Sequence, residues 1–361
     1  MSLDKNNLKV FVGMSGGVDS AVTAALLKDK GYDVTGVTMS IWNGQLLEEN
    51  KGKHACFGPD EEQDIKKAKE ICDKINIPYQ VIDLKEEYAQ IVLKYFSDEY
   101  KEGRTPNPCI VCNAKMKFGL LLDKILEKTP ALDKFATGHY VRTEQDSKTG
   151  RYLLLKGNDP KKDQSYFLYR LTQKQLSKCM FPLGDLIKDD IRLIAKQKEL
   201  GFEHIPESQN FISGDYSQII DVKAKEGDIV GPGGKVMGRH KGYFNFTIGQ
   251  RKGLGVAYVE PLYVIGIDKE KNEVLIGTKE DLYGDSFRVK DLNWISIEKL
   301  EVPMNVTAKI RYQHVDENAY IEPLEEDEVL VKFEKPQLSI TPGQSVVFYD
   351  ADVVVGGGII K

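Results

Sequence analysis

The sequence predicts an α/β protein: a doubly wound parallel sheet followed by two smaller, mainly β domains, the last of them a β-barrel. Three observations carry this reading. Over the first two hundred residues, short apolar β-branched runs alternate with stretches of helical periodicity. After Gly201 the chain turns glycine-rich and turn-rich, with short alternating runs at 263–267 and 273–277. From Phe287 onward, strand-like runs recur at 287–289, 306–312, 329–333 and 345–349, the spacing of a closed barrel. The expected divisions are therefore 1–204, 205–284 and 285–361, each long enough for a core of its own.

Taken in order, Val10–Val12 reads as a buried strand. Ala21, Val22, Ala24, Ala25, Leu26 and Leu27 follow as a helix ending near Gly31. Asp33–Met39 is a second strand leading to Ser40, Ile41 and Trp42, and helical periodicity returns over 60–76. Pro78–Leu84 is a third strand, 86–100 a helix, and Phe135–Thr137 a short strand entering Gly138, His139 and Tyr140. Residues 163–202 read as mainly helical, broken at Pro182 and Gly184. Such an alternation places ligands at the carboxyl ends of the parallel strands.

Composition bounds the function. The 361 residues are 41% hydrophobic and 29% charged, as in ordinary globular proteins. No apolar run reaches the ~18 residues of a membrane span, and the N-terminus lacks a signal-peptide pattern, so no membrane partner is expected. Five scattered cysteines make no disulfide framework and point to a reducing cytoplasm. A net charge of −5 disfavours indiscriminate nucleic-acid binding. Residues 229–259 nevertheless hold Lys235, Arg239, Lys241, Arg251 and Lys252 without an acid, interleaved with Tyr243, Phe244 and Phe246. Cations there can meet phosphates and an aromatic face can stack on an unpaired base, although strand alternation would point some of these rings inward.

Between the first strand and helix sits Ser15-Gly16-Gly17-Val18-Asp19-Ser20. Paired glycines let a ligand approach the main chain, and a helix start offers unpaired N–H groups and a positive dipole end. Ser15 and Ser20 add hydroxyls, and Asp19 can help hold a magnesium ion. No Gly-Lys-Ser/Thr follows, so this is not a Walker loop. The hexapeptide resembles the pyrophosphate loop of the ATP pyrophosphatase superfamily, whose members grip the β,γ-phosphates of ATP and adenylate a carbonyl oxygen.

Residues 102–118 form a proline-rich loop running into a helix and carry Cys109 and Cys112. Near a helix N-terminus, with Lys115 and Lys117 close in sequence, the Cys112 thiol should ionise readily and could hold a sulfane sulfur. Cys72 and Cys179 read as core residues; Cys56 falls in a loop after the second strand where it could be exposed, so packing is held more weakly for it.

With these segments in view, the chain resembles the tRNA-specific 2-thiouridylase family. The matching segments are Ser15–Ser20, Thr105–Phe118, Ala136–Tyr140, Lys162–Leu168, Thr247–Gly255 and Thr341–Gln344. The resemblance implies ATP contacts by Gly13, Met14, Ser15, Gly16, Gly17, Val18, Asp19, Ser20, Met39 and Gly138. It implies tRNA contacts by His139, Lys162, Asp163, Gln164, Lys241, Gln250, Arg251, Lys252, Arg311 and Tyr312. On sequence alone Met39 also reads as a strand-end core residue, His139 as a structural histidine and Asp163 as a helix N-cap. The implied substrates are ATP with Mg2+ and tRNAs for Lys, Glu and Gln, with sulfur supplied by a donor protein such as a cysteine desulfurase or relay.

Cys112 occupies the position of the family's nucleophile. Two departures stand out. Cys109 replaces an Asp usual in the family, and Ile212 stands where a second, persulfide-carrying Cys would lie in the loop 207–212. Cys109 can serve as the missing second thiol, closing a Cys-x-x-Cys disulfide. Alternatively, Cys109 and Cys112 ligate a [4Fe-4S] cluster with a third ligand from elsewhere. A structural zinc site lacks a second ligand pair.

Overall fold

The computed structural model describes residues 8–44, 55–201, 210–212 and 216–361. The chain divides into two compact units, one of Met1–Val92, Cys109–Asp215 and Asp352–Val354, the other of Leu93–Pro108, Tyr216–Ala351 and Val355–Lys361. The boundary expected between 204 and 205 falls outside the described residues.

The first unit is built on β1 (Lys9–Gly13), β2 (Asp33–Ser40), β3 (Ala55–Phe57), β4 (Tyr79–Asp83), β5 (Lys134–Ala136), β6 (Val141–Gln145), β7 (Tyr152–Lys156), β8 (Cys179–Met180) and β9 (Asn210–Ile212). Five of these form one parallel sheet in the order β4-β2-β1-β5-β8. The order runs outward from β1 in both directions, so the doubly wound expectation holds. The switch point lies between β1 and β5, which is where such sheets bind ligands. Helix α1 (Val18–Asp29) and helix α2 (Glu61–Lys74) pack on the sheet with Val10, Val12, Val22, Leu27, Ile71 and Cys72 in one core.

Five strands of this unit, β3, β6, β7, β8 and β9, were not expected from the sequence. Residues 141–156 form the antiparallel hairpin β6–β7, closed by a turn at 146–150. Within the segment read as mainly helical, Cys179–Met180 supplies the fifth strand of the sheet. Helices remain at Ser165–Leu168, Gln173–Lys178 and Lys188–Gln197. Strands β3 and β9 pair in parallel, Ala55 with Asn210 and Phe57 with Ile212.

The second unit holds β10 (Gly227–Val230), β11 (Val236–His240), β12 (Tyr263–Asp268) and β13 (Glu273–Gly277) in a four-stranded sheet ordered β11-β10-β13-β12. Ile229, Phe246, Leu254, Val264, Val274 and Ile276 form its core. It also holds β14 (Tyr283–Trp294), β15 (Met304–Lys309), β16 (Glu317–Pro323), β17 (Val329–Leu338), β18 (Ser345–Asp350) and β19 (Val353–Ile360). These run β14-β17-β16-β15-β18-β19, and β14 pairs back to β19, which closes a six-stranded barrel. Strands β16 and β19 are additions to the four expected from sequence.

Glycines make that closure possible. A Cβ on Gly356 would lie 2.5 Å from the Asn293 carbonyl oxygen, and one on Gly358 2.5 Å from Val289 Cγ1. Side chains at these points would hold β19 off β14. Gly356→Ala should therefore lower stability by about 1–3 kcal/mol, as overpacking does. The expected result is a lower midpoint in denaturant unfolding followed on the barrel's tryptophan, Trp294; an unshifted midpoint would show that closure does not depend on this contact.

Candidate active site

The loop after β1 is shaped by its own side chains. Ser20 Oγ accepts from the Ser15 amide at 3.2 Å and donates to the Gly17 carbonyl at 3.0 Å. Gly16 adopts φ +76°, and a Cβ there would lie 2.8 Å from the Asp64 carbonyl. Gly17 caps α1 without a side-chain hydrogen bond, so the first amides of the helix are left to an anion. On the far side, Gly138 comes so close that a Cβ would sit 2.9 Å from the Asp19 carbonyl carbon.

A cavity of about 340 Å³ opens over this loop. It is lined by residues 13–20, by Met39 and Ile41 at the end of β2, and by Gly138, His139 and Gln164. Cys56, Glu61 and Lys117 complete the wall. The ten residues expected to contact ATP thus share one cavity. Glu61, at the start of α2, fixes the chain after β2 by accepting from Ser40 Oγ, the Ile41 amide and the Trp42 amide at 2.8, 2.6 and 2.9 Å.

Asp19 is differently placed from the metal ligand that its sequence position suggests. Lys188 Nζ donates to its two oxygens at 2.8 and 3.0 Å, and Tyr140 Oη donates at 2.7 Å. The pair is largely shielded, with side-chain exposures of 7% for Lys188 and 25% for Asp19. A carboxylate so engaged does not fit the role of magnesium ligand in this arrangement. Lys188 was missed in the sequence because it lies 169 residues away, in a segment that reads as an ordinary amphipathic helix.

The cysteines gather beside this cavity. Helix Pro108–Val111 continues into Cys112–Leu120, wound with i→i+5 bonds, and then into Leu121–Lys128. That winding puts Lys117 on the same face as Cys112, and Lys117 is anchored to Asn113 Oδ1 at 3.0 Å. The expected ready ionisation is not found. Burial pushes the Cys112 thiol up to about 11 and the Cys109 thiol up to about 12; the Lys117 charge only partly opposes this. Helix Pro108–Val111 starts too early for its dipole to favour Cys112, and the helical wall takes the thiol out of water. Cys72 and Cys179 are core residues as expected, whereas Cys56 is exposed and faces the cavity.

His139 is neutral near pH 7, held well below the usual imidazole range by burial and then by Lys117. Its Nδ1 meets Thr137 Oγ1 at 2.7 Å, and its ring packs between Phe118 and Phe181. It cannot act as a cation toward phosphates. Asp163 is also corrected: it is buried and accepts from Gly157 N, Ser165 N and Ser165 Oγ, a helix-start role rather than an RNA contact. Gln164 faces the cavity and accepts from the Tyr140 amide at 3.0 Å. Lys162 is half-buried.

In the second unit, Lys241, Arg251 and Lys252 are exposed, while Arg311 and Tyr312 are half-buried. Gln250 is used internally, accepting from the Thr247 amide and donating to the Lys252 carbonyl, which shapes the turn that carries Arg251 and Lys252. Arg239 faces Asp228 at 3.3 Å, just outside the acid-free stretch. Phe244 and Phe246 are buried, and Tyr243 Oη donates to the Lys101 carbonyl at 2.6 Å. None of the three expected rings is well exposed; Val236, Tyr258 and Val259 are exposed apolar groups of the same stretch.

Three family models match the chain. They are a tRNA methyl transferase HUP domain over 8–213, a tRNA methyl transferase PRC-barrel domain over 218–278 and an aminomethyltransferase beta-barrel domain over 284–360. The first defines the class, a nucleotide-binding α/β domain joined to β modules of tRNA-modifying proteins. At the level of whole chains, tRNA-specific 2-thiouridylase MnmA of Endomicrobium trichonymphae is 50% identical over 359 residues, 99% of either chain. tRNA-specific 2-thiouridylase MnmA 2 of Thermoanaerobacter sp. (strain X514) is 51% identical over 364 residues, 98% of either chain. The chain belongs to the tRNA-specific 2-thiouridylase family. Among solved structures, a 4-thiouridine synthetase–RNA complex with bound ATP is 15% identical, covering 59% of this chain and 50% of that one with a TM-score of 0.36.

Two measurements follow from the site. Gly138→Ala forces a methyl onto the Asp19 backbone, so ATP affinity should fall roughly tenfold or more in a nucleotide titration while the circular dichroism spectrum stays unchanged. Wild-type affinity in that variant would remove the close approach from the binding geometry. Alkylation of Cys112 by iodoacetamide should keep accelerating through pH 9 and 10, because the thiolate fraction grows until the pH passes the raised pKa. A plateau near neutrality would contradict the buried, protonated thiol.

Proposed function

We propose that this chain makes 2-thiouridine in tRNA, adenylating the base with ATP and then replacing the C2 oxygen with sulfur. The observation that carries the reading is a glycine loop opening a helix in one cavity with the Cys56 thiol and with Lys117 of the Cys112 helix. Methyl transfer, the activity named in two of the matched domain descriptions, requires neither a loop for pyrophosphate nor thiols beside it. Family membership at about half identity supports the thiolation reading directly.

The chemistry runs in two stages. The uridine C2 oxygen attacks the α-phosphorus of ATP. Pyrophosphate leaves onto the amides that open α1 and the Ser15 hydroxyl, where the developing charge meets preset dipoles, while Ser20 holds the loop's shape from inside. Tyr140 and Lys188 hold Asp19 still while this happens. The base has to leave its stack to enter the cavity, as in other chemistry on nucleobases. A persulfide at the thiol group then attacks C2 and expels AMP, and Cys112 takes the remaining sulfur bond as a disulfide, freeing the thiocarbonyl. The high thiol pKa values at this site suit sulfur held as a persulfide, which ionises more readily than the thiol that carries it.

Magnesium would enter with the triphosphate rather than on Asp19, whose oxygens are engaged. For the iron–sulfur alternative, no three His, Cys, Asp or Glu side chains among the described residues form a set able to hold a metal ion. The cysteines therefore do not fit a cluster in this arrangement, and no step is routed through one. We assign substrate activation to residues 1–204, tRNA contact through Lys241, Arg251 and Lys252 to residues 205–284, and Arg311 and Tyr312 of residues 285–361 to a secondary contact. Binding through those cations should weaken with salt. The sulfur donor is a separate persulfide-bearing protein, the tRNAs are those for Lys, Glu and Gln, and the compartment is the cytoplasm. No described helix is long and apolar enough to cross a membrane.

Cys112→Ser should abolish 2-thiouridine, read by nucleoside mass spectrometry, while tRNA-dependent conversion of ATP to AMP persists for the slow hydrolysis of the adenylate. Retained thiolation would refute the role of Cys112. In the same assay, anaerobically purified protein that is colourless and iron-free should remain active; activity that tracks iron content would restore the cluster.

A further inference from the structure

Cys56 lines the nucleotide cavity, whereas Cys109 and Cys112 are not among its lining residues. It sits at the centre of the short strand β3, whose residues alternate between buried Ala55 and Phe57 and exposed Cys56. Phe57 is fully buried and stacks on Tyr88 with ring centroids 5.6 Å apart. On the other edge, β3 is held in register by β9, which offers no thiol of its own. Packing on one face and pairing along the edge thus aim the Cys56 side chain at the cavity.

Cys56 also lies within electrostatic reach of Cys109, Cys112 and the buried Tyr88. Cys56 thus comes within range of a Cys109/Cys112 pair more than fifty residues further along the sequence, and it lines the same cavity as the loop at 15–20. The thiols are unequal. Cys109 and Cys112 are half-buried in the helical wall, whereas Cys56 is exposed. Thiol–persulfide exchange requires access for in-line attack on sulfur, which favours the exposed member.

We propose that Cys56 is the persulfide carrier of this enzyme: it accepts the sulfane sulfur and presents it to the activated base. This rests on the thiolation reading above. In the loading step the Cys56 thiolate attacks the terminal sulfur of a donor persulfide, forming Cys56–S–S⁻ and releasing the donor as a thiol. Inside the cavity the terminal sulfur attacks C2 of the adenylated uridine and AMP departs with the former C2 oxygen. The Cys112 thiolate then attacks the Cys56 sulfur. A Cys56–Cys112 disulfide forms, the S–S bond to the base breaks, and its electron pair stays on the sulfur that becomes the thiocarbonyl. The two thiols are oxidised as the sulfane sulfur is reduced, and an external dithiol restores them for the next turnover.

The test loads purified protein with inorganic polysulfide, desalts it, alkylates it and maps the sulfur by peptide mass spectrometry. Loaded wild-type protein should carry one extra sulfur atom on the Cys56 peptide, and Cys56→Ser should lose loading by roughly tenfold or more. This readout needs neither ATP nor tRNA. Equal loading of Cys56→Ser and wild type, or sulfur found on Cys109 in place of Cys56, would overturn the assignment. Loaded wild-type protein is then given ATP and tRNA for one turnover without reductant and digested unreduced. A Cys56–Cys112 disulfide matching the 2-thiouridine formed supports the step; a Cys109–Cys112 disulfide with Cys56 still alkylatable overturns it. Loaded enzyme that forms no 2-thiouridine would count against the thiolation reading itself, and the loading result would still decide whether Cys56 is the sulfur acceptor.

Discussion

The buried contact of Asp19 with Lys188 and Tyr140 is the constraint on which the site depends. A glycine turn has no side-chain packing of its own to keep it open, and the amides at the start of α1 are useful only if they point outward. Three donor contacts at 2.7–3.0 Å tie the second-to-last residue of the loop to the hairpin entry at Tyr140 and to the helix beginning at Lys188. Removing one partner of such a shielded pair typically costs about 3–5 kcal/mol, because the other charge is left without compensation. Gly138 presses on the same residue from the β5 side. The loop is therefore held from three directions before ATP arrives, so little ordering remains to be done on binding.

The thiols follow an opposite logic. Burial beside a helical wall raises the Cys109 and Cys112 pKa values and so lowers their reactivity toward stray electrophiles and oxidants. The chemistry they would take part in needs a thiolate only once a persulfide and an activated base are both in place. Lys117, on the face it shares with Cys112, supplies a nearby positive charge that favours that thiolate. An exposed Cys56 and two half-buried partners thus separate sulfur acquisition from sulfur delivery.

The parts of this arrangement legible in the sequence are those written locally. The strand–glycine turn–helix unit lies within twenty residues, and both its fold and its affinity for phosphate follow from short-range rules. The barrel was legible from the spacing of four of its strands, but not β16 or β19, where Gly356 and Gly358 serve close approach to β14. The acidity of Cys112 was misjudged because sequence proximity to a helix start and to lysines says nothing of how deeply tertiary packing buries the sulfur. Cys56 was underrated for the same reason, since its neighbours come from a helix more than fifty residues on. The aromatics at 243–246 were similarly resolved only by packing, which turned Phe244 and Phe246 into core.

The central claim is that the C2 oxygen of uridine is carried away on AMP. It is tested most directly with tRNA labelled with oxygen-18 at C2 of the target uridine, following the label by mass spectrometry after a single turnover. The account requires the label in the phosphate of AMP, with unlabelled pyrophosphate. Label appearing in water or in pyrophosphate, with 2-thiouridine formed, would contradict it.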